Sequence, residues 1–597
     1  VSRHDSNFSN RMKDLSACLS QTKGTDSSES ILENVWSVFF PEANGVNSDR
    51  QASIDSLRLK RSVSINELNR TPITDPAQEI LFTSNILLTI PSKSNENRQL
   101  FLGDNIKEKL IPVLDEKQLY WYDHPIQMGV EPDKNEVLYG LRGLDEAVSF
   151  EKERGNMPVD GRVLCALSVS VTHHGLHRIA KDYLEGQLRE SGGLKNIDIY
   201  VFSEEETERL VNDVIIPASS RYFDLVDTDL KESMAMFGVD GEYGRHYSFL
   251  KAIAAFWNIL IMPGLKATFK IDLDQIFPQE ILTEQTGSSV FEHFMTPLWG
   301  ATGVDSLGCS LDLGMIAGAL VNESDISKSL FYPDVRYPEQ EPTPDEYIFY
   351  STLPQALSTE AEMMTRYTDG VLDGFNRCIR RVHVTGGTNG ILINSLRKYR
   401  PFTPSFMGRA EDQAYILSVI LKRNPGLAYV HKDGLIMRHD KDVFAQEAIE
   451  SAHISKFIGD YIRILYFSAY ARLLSGDLSE IKAEVDPFTG CFISKIPITV
   501  VYLRLCLKAE SLIASGKEKD ALELIKNGTS RITYAIKFIS GSESMLKDQF
   551  EKEAQGWNIF YDTIQAIEHA LKGNDKFALD LKTRAEKVIS DCLIHFE

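Results

Sequence analysis

The fold expected for this chain depends on the stretch ATFKIDLDQIFP at residues 267–278. Its first five residues have the apolar, β-prone character of a buried parallel strand, and two carboxylates separated by one residue follow directly. Alternate side chains of a strand point to the same side, so we expect Asp272 and Asp274 to lie together at its carboxyl end. Two hard oxygen donors there can hold Mg²⁺ or Mn²⁺ together with the phosphates of a nucleotide. The alternative is a solvated turn after a strand.

Position distinguishes this D-x-D sequence from two others, at Asp227–Asp229 and Asp440–Asp442. Two more β-rich apolar runs precede it, at 162–171 and 197–202, and helical patterns separate the three runs. Strands that alternate with helices predict βαβ units and a parallel sheet covered on both faces. We therefore expect an α/β fold with an open, doubly wound sheet, whose ligands bind beyond the carboxyl ends of the strands.

The character of the sequence changes three times along the chain. Residues 1–75 are polar and rich in Ser and Asn, and we expect them to be partly flexible. Residues 76–158 have a mixed pattern and are interpreted as an accessory region. Residues 159–444 would form the α/β domain, and residues 445–597, with helical spacing, an all-α C-terminal domain. Four parts agree with a length of 597 residues, since a domain usually has about 100–200.

Charge and cysteine content exclude some classes of partner. Lys and Arg number 64 against 85 Asp and Glu, which gives a net charge of −21 at pH 7. So acidic a surface repels phosphate backbones, and we expect no nucleic-acid partner. No apolar run approaches the ~20 residues that span a bilayer, so we expect no membrane span. The seven cysteines lie far apart without CxxC spacing, which indicates reduced thiols and a cytoplasmic location.

Four further segments carry side chains suited to binding or catalysis. The first is a helix with basic residues and an Asn, which precedes the D-x-D strand, and the second is a glycine-rich loop. The third is a Glu-Asp pair at the start of a helix, and the fourth is a strand-like run that ends in a histidine. Their sequences are YGRHYSFLKAIAAFWN (243–258), VTGGTNGILI (384–393), FMGRAEDQAYIL (406–417) and GLIMRHD (434–440).

This order of segments resembles the GT-A, family-2-like glycosyltransferases, which use nucleotide-activated sugars, over about residues 160–444. The resemblance implies a Rossmann-like, nucleotide-diphospho-sugar transferase fold for that domain. It also implies Mn²⁺ or Mg²⁺ held by Asp272, Asp274 and His439. The loop at 168–175 departs from the usual opening of the family, so the nucleobase of the donor stays open.

Further residues are candidates for binding the two substrates, and of these Gly386 and Gly387 follow from the resemblance. Residues that would bind the donor are Ser168, Arg245, Lys251 and Asp272. Of these, Arg245 and Lys251 would place positive charge on the diphosphate. Residues that would bind the acceptor are Gly386, Gly387, Thr388 and Asn389.

The same resemblance makes Asp412, with Glu411 beside it, the catalytic base that takes the proton of an acceptor hydroxyl. A helix N-terminus, however, lowers the pKa of a carboxylate and weakens it as a base. A second reading is therefore that both residues only cap the helix. In that case Asp412 would orient acceptor hydroxyls, and a retaining mechanism becomes a candidate.

The function expected from the sequence is that of a metal-dependent, inverting glycosyltransferase. Its partners would be a nucleotide-diphosphate sugar and an acceptor of open identity, with the accessory regions shaping an acceptor pocket or a homo-oligomer surface. A sugar-1-phosphate nucleotidyltransferase is the alternative enzyme, although the Gly-rich, basic loop typical of that class is missing after the strand at 162–171. A non-catalytic scaffold is the alternative outside enzymes.

Overall fold

The structure is a computed structural model that describes residues 6–21, 28–91, 100–120, 125–241, 243–368, 371–422, 425–440, 446–540 and 544–595. By packing, the chain forms two compact units. The helical unit comprises Val1–Ser62, Pro333–Thr365 and Ile454–Lys547, and the sheet unit comprises Val63–Tyr332, Arg366–His453 and Asp548–Glu597. Each unit is thus assembled from segments that lie far apart in the sequence.

Twelve strands of the described residues pair into one sheet. They are β1 (Ser62–Glu67), β2 (Ile80–Thr89), β3 (Ile126–Gln127), β4 (Val163–Val171), β5 (Ile197–Phe202), β6 (Ala267–Ile271), β7 (Gln275–Ile276), β8 (Thr302–Asp305), β9 (Ser310–Asn322), β10 (Arg377–Arg381), β11 (Thr388–Leu392) and β12 (Gly426–His439).

The α-helices of both units have between 4 and 29 residues. Among the described residues, none combines the length and the apolar character that a membrane span requires. They are α1 (Ser6–Gln21), α2 (Ser28–Phe39), α3 (Pro41–Ser48), α4 (Arg50–Arg61), α5 (Pro76–Glu79), α6 (Asp104–Leu110), α7 (Glu136–Glu153), α8 (His177–Glu190), α9 (Glu204–Leu210), α10 (Ile216–Phe223), α11 (Asp227–Ser233), α12 (Tyr243–Leu260), α13 (Gln279–Thr286), α14 (Val290–Phe294), α15 (Glu323–Ile326), α16 (Thr352–Ser358), α17 (Ile393–Tyr399), α18 (Glu411–Ile420), α19 (Gln446–Leu474), α20 (Leu478–Val485), α21 (Phe488–Cys491), α22 (Pro497–Ala514), α23 (Glu518–Ile539), α24 (Met545–Lys572) and α25 (Lys576–Cys592).

Four neighbouring strands run parallel in the order β5-β4-β2-β6, so their carboxyl ends share one edge of the sheet. All five residues of β6 are buried, and β2 is buried along its length except at Asn85. Helix α12 packs against β2, β4 and β6 and is itself buried nearly all round, which explains its continuous apolar sequence. These strands place the D-x-D residues at the end of β6.

The open, doubly wound, Rossmann-like GT-A sheet that we expected from the sequence is wrong. After β6 the sheet continues through β11, which is antiparallel to both β6 and β9. Beyond that point, β9, β8, β1, β10 and β12 pair in turn, and β12 pairs again with β9, so that these five strands close on themselves. The sheet is therefore mixed and partly closed.

The length and bending of β9 and β12 explain why the sheet is partly closed instead of open and doubly wound. β9 has 13 residues and β12 has 14, more than the 5–6 typical of a strand (about 17–20 Å). One edge of β9 pairs first with β8 and then with β11, while β12 occupies its other edge. The register of β12 against β9 shifts twice, and such bulges bend a strand. Apolar runs in the sequence do not reveal that one edge of a long strand pairs with two other strands in succession.

The helices expected as one C-terminal domain divide between the units. Helices α20–α23 belong to the helical unit, whereas most of α24 and all of α25 belong to the sheet unit. There the Glu553 carboxylate accepts the Ser405 backbone N–H (2.9 Å), and Ser219 Oγ lies 2.7 Å from Thr563 Oγ1. The Ile594 N–H donates to the Ile199 carbonyl of β5 (2.9 Å), so the C-terminal segment extends the edge of the sheet.

In the helical unit, Arg61 at the end of α4 ties three chain segments together. Its buried guanidinium pairs with the buried Glu362 carboxylate (Nε to Oε1, 3.1 Å). It also donates to the carbonyls of Glu484 and Asp486, at 2.7 Å each. A fully desolvated cation with a carboxylate and two carbonyls as partners makes this residue a structural centre of the unit.

Arg61→Met should lower the free energy of unfolding of the helical unit by about 3–5 kcal/mol, because the buried Glu362 carboxylate would lose the guanidinium that pairs with it. Arg50→Met is the matched control: Arg50 also pairs with a glutamate, Glu360, but its side chain is 53% exposed, and we expect a loss of about 1 kcal/mol. Urea denaturation of the two variants measures both losses. Equal losses would contradict the role of Arg61.

Candidate active site

The D-x-D residues lie directly after β6, at the edge formed by the carboxyl ends of the parallel strands. β6 ends at Ile271, and the Gln275 N–H donates to the Asp272 carbonyl (3.3 Å), which closes a turn. Because the strand has ended, strand alternation does not set the directions of the two carboxylates, contrary to our expectation. Asp272 contacts the Lys270 ammonium, whereas Asp274 contacts the His439 imidazole.

His439 reaches the D-x-D turn because β12 ends against it. The end of β12 pairs antiparallel with β7, with His439 opposite Gln275, and the Asp440 N–H donates to the Asp274 carbonyl (3.1 Å). His439 Nε2 and Asp274 Oδ2 lie 2.8 Å apart, and both side chains are mostly buried. The structure thus brings together two of the three predicted metal ligands.

The third predicted ligand, Asp272, has other partners. Its carboxylate contacts Lys270 Nζ and accepts a hydrogen bond from Gln275 Nε2 (3.3 Å). In the part of the chain that the structure describes, no group of three or more His, Cys, Asp or Glu side chains is arranged to hold a metal ion. Mg²⁺ in nucleotide sites, however, is usually held by one or two carboxylates together with phosphates and water. The donor atoms of Asp274 and His439 fit a divalent ion that binds with a phosphate-bearing ligand.

The glycine-rich loop packs directly on Asp272. β11 follows this loop and pairs with β6, with Thr388 opposite Ile271. A Cβ atom on Gly387 would lie 2.6 Å from Asp272 Cγ and 2.7 Å from its backbone nitrogen, whereas one on Gly386 would lie 3.3 Å from Asp272 Oδ2. Only a residue without a side chain lets the loop approach so closely at position 387.

Asn389 holds this loop in place from behind. Its amide nitrogen donates to the carbonyls of Thr385 and Gly386, both at 2.9 Å. Its amide oxygen accepts from Tyr247 OH (2.7 Å) and Lys251 Nζ (2.9 Å). Asn389 and Thr388 are fully buried. Both shape the loop in this structure, and their expected contact with an acceptor stays a prediction.

Two lysines lie buried side by side beneath the loop. Burial alone would lower the pKa of Lys270, but the carboxylates of Asp272 and Glu411 outweigh it and raise that pKa above the ordinary value. Burial, with repulsion from Lys270, lowers the pKa of Lys251 far below the ordinary value for an amine. Lys251 donates a hydrogen bond to the Asn389 amide oxygen (2.9 Å), and its expected contact with a diphosphate stays a prediction.

Arg245 and Ser168, the other predicted donor-binding residues, also have protein partners. The Arg245 guanidinium pairs with Glu204 (2.9 Å) and donates to the Asp240 carbonyl (2.6 Å), so it fixes the segment before α12. Ser168 is fully buried in β4, with its Oγ 2.8 Å from His246 Nδ1. Burial and the charges of Arg245 and Lys270 lower the pKa of His246 to about 3, so this histidine is neutral. These contacts hold the side chains of Arg245 and Ser168 against neighbouring segments of the fold.

Glu411 and Asp412 open α18 next to the same cluster. A Cβ on Gly386 would lie 3.9 Å from both Glu411 Oε1 and Lys270 Nζ, so the glycine loop, Lys270 and the helix start meet here. Burial and the charge of Glu411 raise the pKa of Asp412 to about 7, and burial also raises the pKa of Glu411. The effect of burial thus outweighs that of the helix N-terminus.

Helix α7 supports the D-x-D turn from the side, a contact that we did not predict from the sequence. A Cβ on Gly140 would lie 2.5 Å from both Leu273 Cα and its carbonyl oxygen, and one on Gly143 would lie 2.2 Å from Ile276 Cγ2. The α7 backbone therefore packs directly on the turn. Two glycines three residues apart in a helical pattern are the signal that could have predicted this contact.

Replacement of Gly387 by Ala should displace Asp272 or the loop, because the new Cβ has no space against the Asp272 backbone. We expect a loss of about 1–3 kcal/mol in the free energy of unfolding. Gly386→Ala is the matched control, since its Cβ meets only the tip of a carboxylate at 3.3 Å and should cost less. Thermal unfolding of both variants tests this; an unchanged Gly387→Ala protein would refute the close packing.

The raised pKa of Asp412 predicts a pH dependence of stability. In the folded protein Asp412 titrates at about 7, whereas an unfolded Asp titrates at about 3.9. The stability that its neutral form contributes is complete below about pH 4 and is lost as the pH rises to about 7, at up to about 1.4 kcal/mol per pH unit. Asp412→Asn cannot ionise, so its stability should fall less between about pH 5 and about pH 7 than that of the wild type. Urea denaturation at both pH values measures this difference, and parallel losses would contradict the raised pKa.

Comparisons with known proteins assign neither a family nor a function to this chain. No family model matches this chain, and neither a curated protein nor a solved structure matches it. Any functional conclusion therefore depends on the side-chain chemistry at the end of β6.

Proposed function

We propose that this chain is a metal-dependent glycosyltransferase that moves a sugar from a nucleotide-diphosphate sugar to an acceptor hydroxyl with inversion. The observation that carries the proposal is the meeting of four distant segments at the end of β6. They are the D-x-D turn, the end of β12 with His439, the Gly386–Gly387 loop and the start of α18. Their order along the chain is also the basis of the resemblance noted in the sequence.

On the donor side, Asp274 and His439 would hold Mn²⁺ or Mg²⁺. When bound, such an ion neutralises the charge that accumulates on a departing diphosphate. The Asp272 side chain is one-third exposed while its other contacts fix it against Lys270 and the glycine loop. It is therefore suited to accept hydrogen bonds from the sugar or the metal's water ligands.

On the acceptor side, a carboxylate with a pKa near 7 can both hold and release a proton at neutral pH, as a general base requires. Asp412 has this property because of its burial and the neighbouring Glu411. This supports the catalytic reading of Asp412 over the capping one, and a single base suits inversion. Glu411 is less buried than Asp412 and is the second candidate for the base.

The competing functions lack a comparable observation. The first strand of the parallel group along the chain is β2, not β4, so the loop typical of a nucleotidyltransferase would follow Thr89. No glycine occurs between Ile90 and Leu102, so this signature is missing there too. A non-catalytic scaffold would not need a buried cation and two buried carboxylates at one edge, because such groups are costly to desolvate.

Asp274→Ala should abolish the Mn²⁺-dependent release of nucleoside diphosphate when the protein is incubated with a panel of UDP- and GDP-sugars. Slow donor hydrolysis is the readout, since it needs no acceptor. Asp229→Ala is the matched control: it changes another D-x-D sequence, at an exposed position, and should leave the release unchanged. Absence of any metal-dependent nucleotide binding by the wild type would favour the scaffold.

A further inference from the structure

The helical unit contains a cavity that the proposed function does not use. It has a volume of about 520 Å³ and lies between α19, α22, the end of α23 and the start of α24. Leu465, Ile496 and Leu546 form its buried apolar floor. Ile498 also lines it and is 42% exposed, so apolar surface continues from the floor to the opening. Its size is within the range of about 300–1,000 Å³ usual for small-molecule sites.

The rim of this cavity is cationic. Arg472, Lys495 and Lys547 line it, and none of the described lining residues is acidic. Arg472 Nη2 lies 3.5 Å from the Lys495 backbone carbonyl, so these two residues stand next to each other at the opening. In the described ranges neither Arg472 nor Lys495 has a carboxylate within ion-pair distance.

We propose that this cavity binds a small amphiphilic anion, an unbranched apolar chain with a carboxylate head group. The apolar chain would cover the partly exposed side chains of Leu473, Ile498 and Ile539, where burial of its CH₂ groups is favourable. The carboxylate would lie between Arg472 and Lys495, whose donors form charge-assisted hydrogen bonds with it. A neutral apolar ligand would leave these cations unused, and a compact inorganic anion would leave these apolar side chains exposed.

Dodecanoate, kept well below the concentration at which it forms micelles, is the probe for isothermal titration calorimetry with the full chain. We expect one molecule to bind per chain, independently of Mn²⁺. Arg472→Gln and Lys495→Met should each weaken binding by about tenfold, because each removes a hydrogen bond to a charged group. Lys519→Met, which removes an exposed lysine of α23 away from the cavity, should leave the affinity unchanged.

Two further binding measurements distinguish the contribution of the ligand's head group from that of its apolar chain. Dodecylamine has the same chain with the opposite charge and should bind at least about tenfold more weakly than dodecanoate. Ile498→Asn, at a position exposed enough to be tolerated, should weaken dodecanoate binding by several-fold. No dodecanoate binding, equal binding of dodecylamine, or unchanged affinity in the Arg472→Gln, Lys495→Met double variant would each overturn the proposal. These outcomes do not depend on whether the chain is a glycosyltransferase.

Discussion

The candidate site depends on one buried cation, the ammonium of Lys270 on β6. A lysine without solvent is stable only if opposite charges surround it, and the carboxylates of Asp272 and Glu411 do so. The same charge therefore joins the D-x-D turn to the start of α18, although 139 residues separate Asp272 from Glu411. Without the Lys270 charge, several mostly buried carboxylates would lie close together at the site, and their mutual repulsion would be severe.

Backbone packing around this cation leaves little freedom for the carboxylates. Gly387 lies over Asp272, and Gly140 of α7 lies against Leu273 between the two aspartates. Asn389 holds the glycine loop from behind with all of its amide atoms engaged. Such preorganisation is what a site needs to stabilise charge without moving at the moment of reaction.

Part of this arrangement could be predicted from the sequence. Apolar β-prone runs placed β4, β5 and β6, and a carboxylate pair after the last of them indicated the edge where chemistry would occur. The central strand β2 was missed, because it lies in a region whose overall pattern is mixed. The closure of β9, β8, β1, β10 and β12 could not be predicted, since it depends on long-range pairing and on bends within two long strands. The burial of Lys251, Thr388 and Asn389 could not be predicted either, because no local pattern reveals whether a polar residue will be buried.

A crystal structure of the protein soaked with Mn²⁺ and either UDP or GDP would test the account most directly. We expect Mn²⁺ bound to the Asp274 carboxylate and the His439 imidazole, with the diphosphate at the carboxyl end of β6 and the Glu411–Asp412 pair on the far side of Asp272. A diphosphate bound elsewhere, with no metal ion on Asp274 and His439, would contradict it.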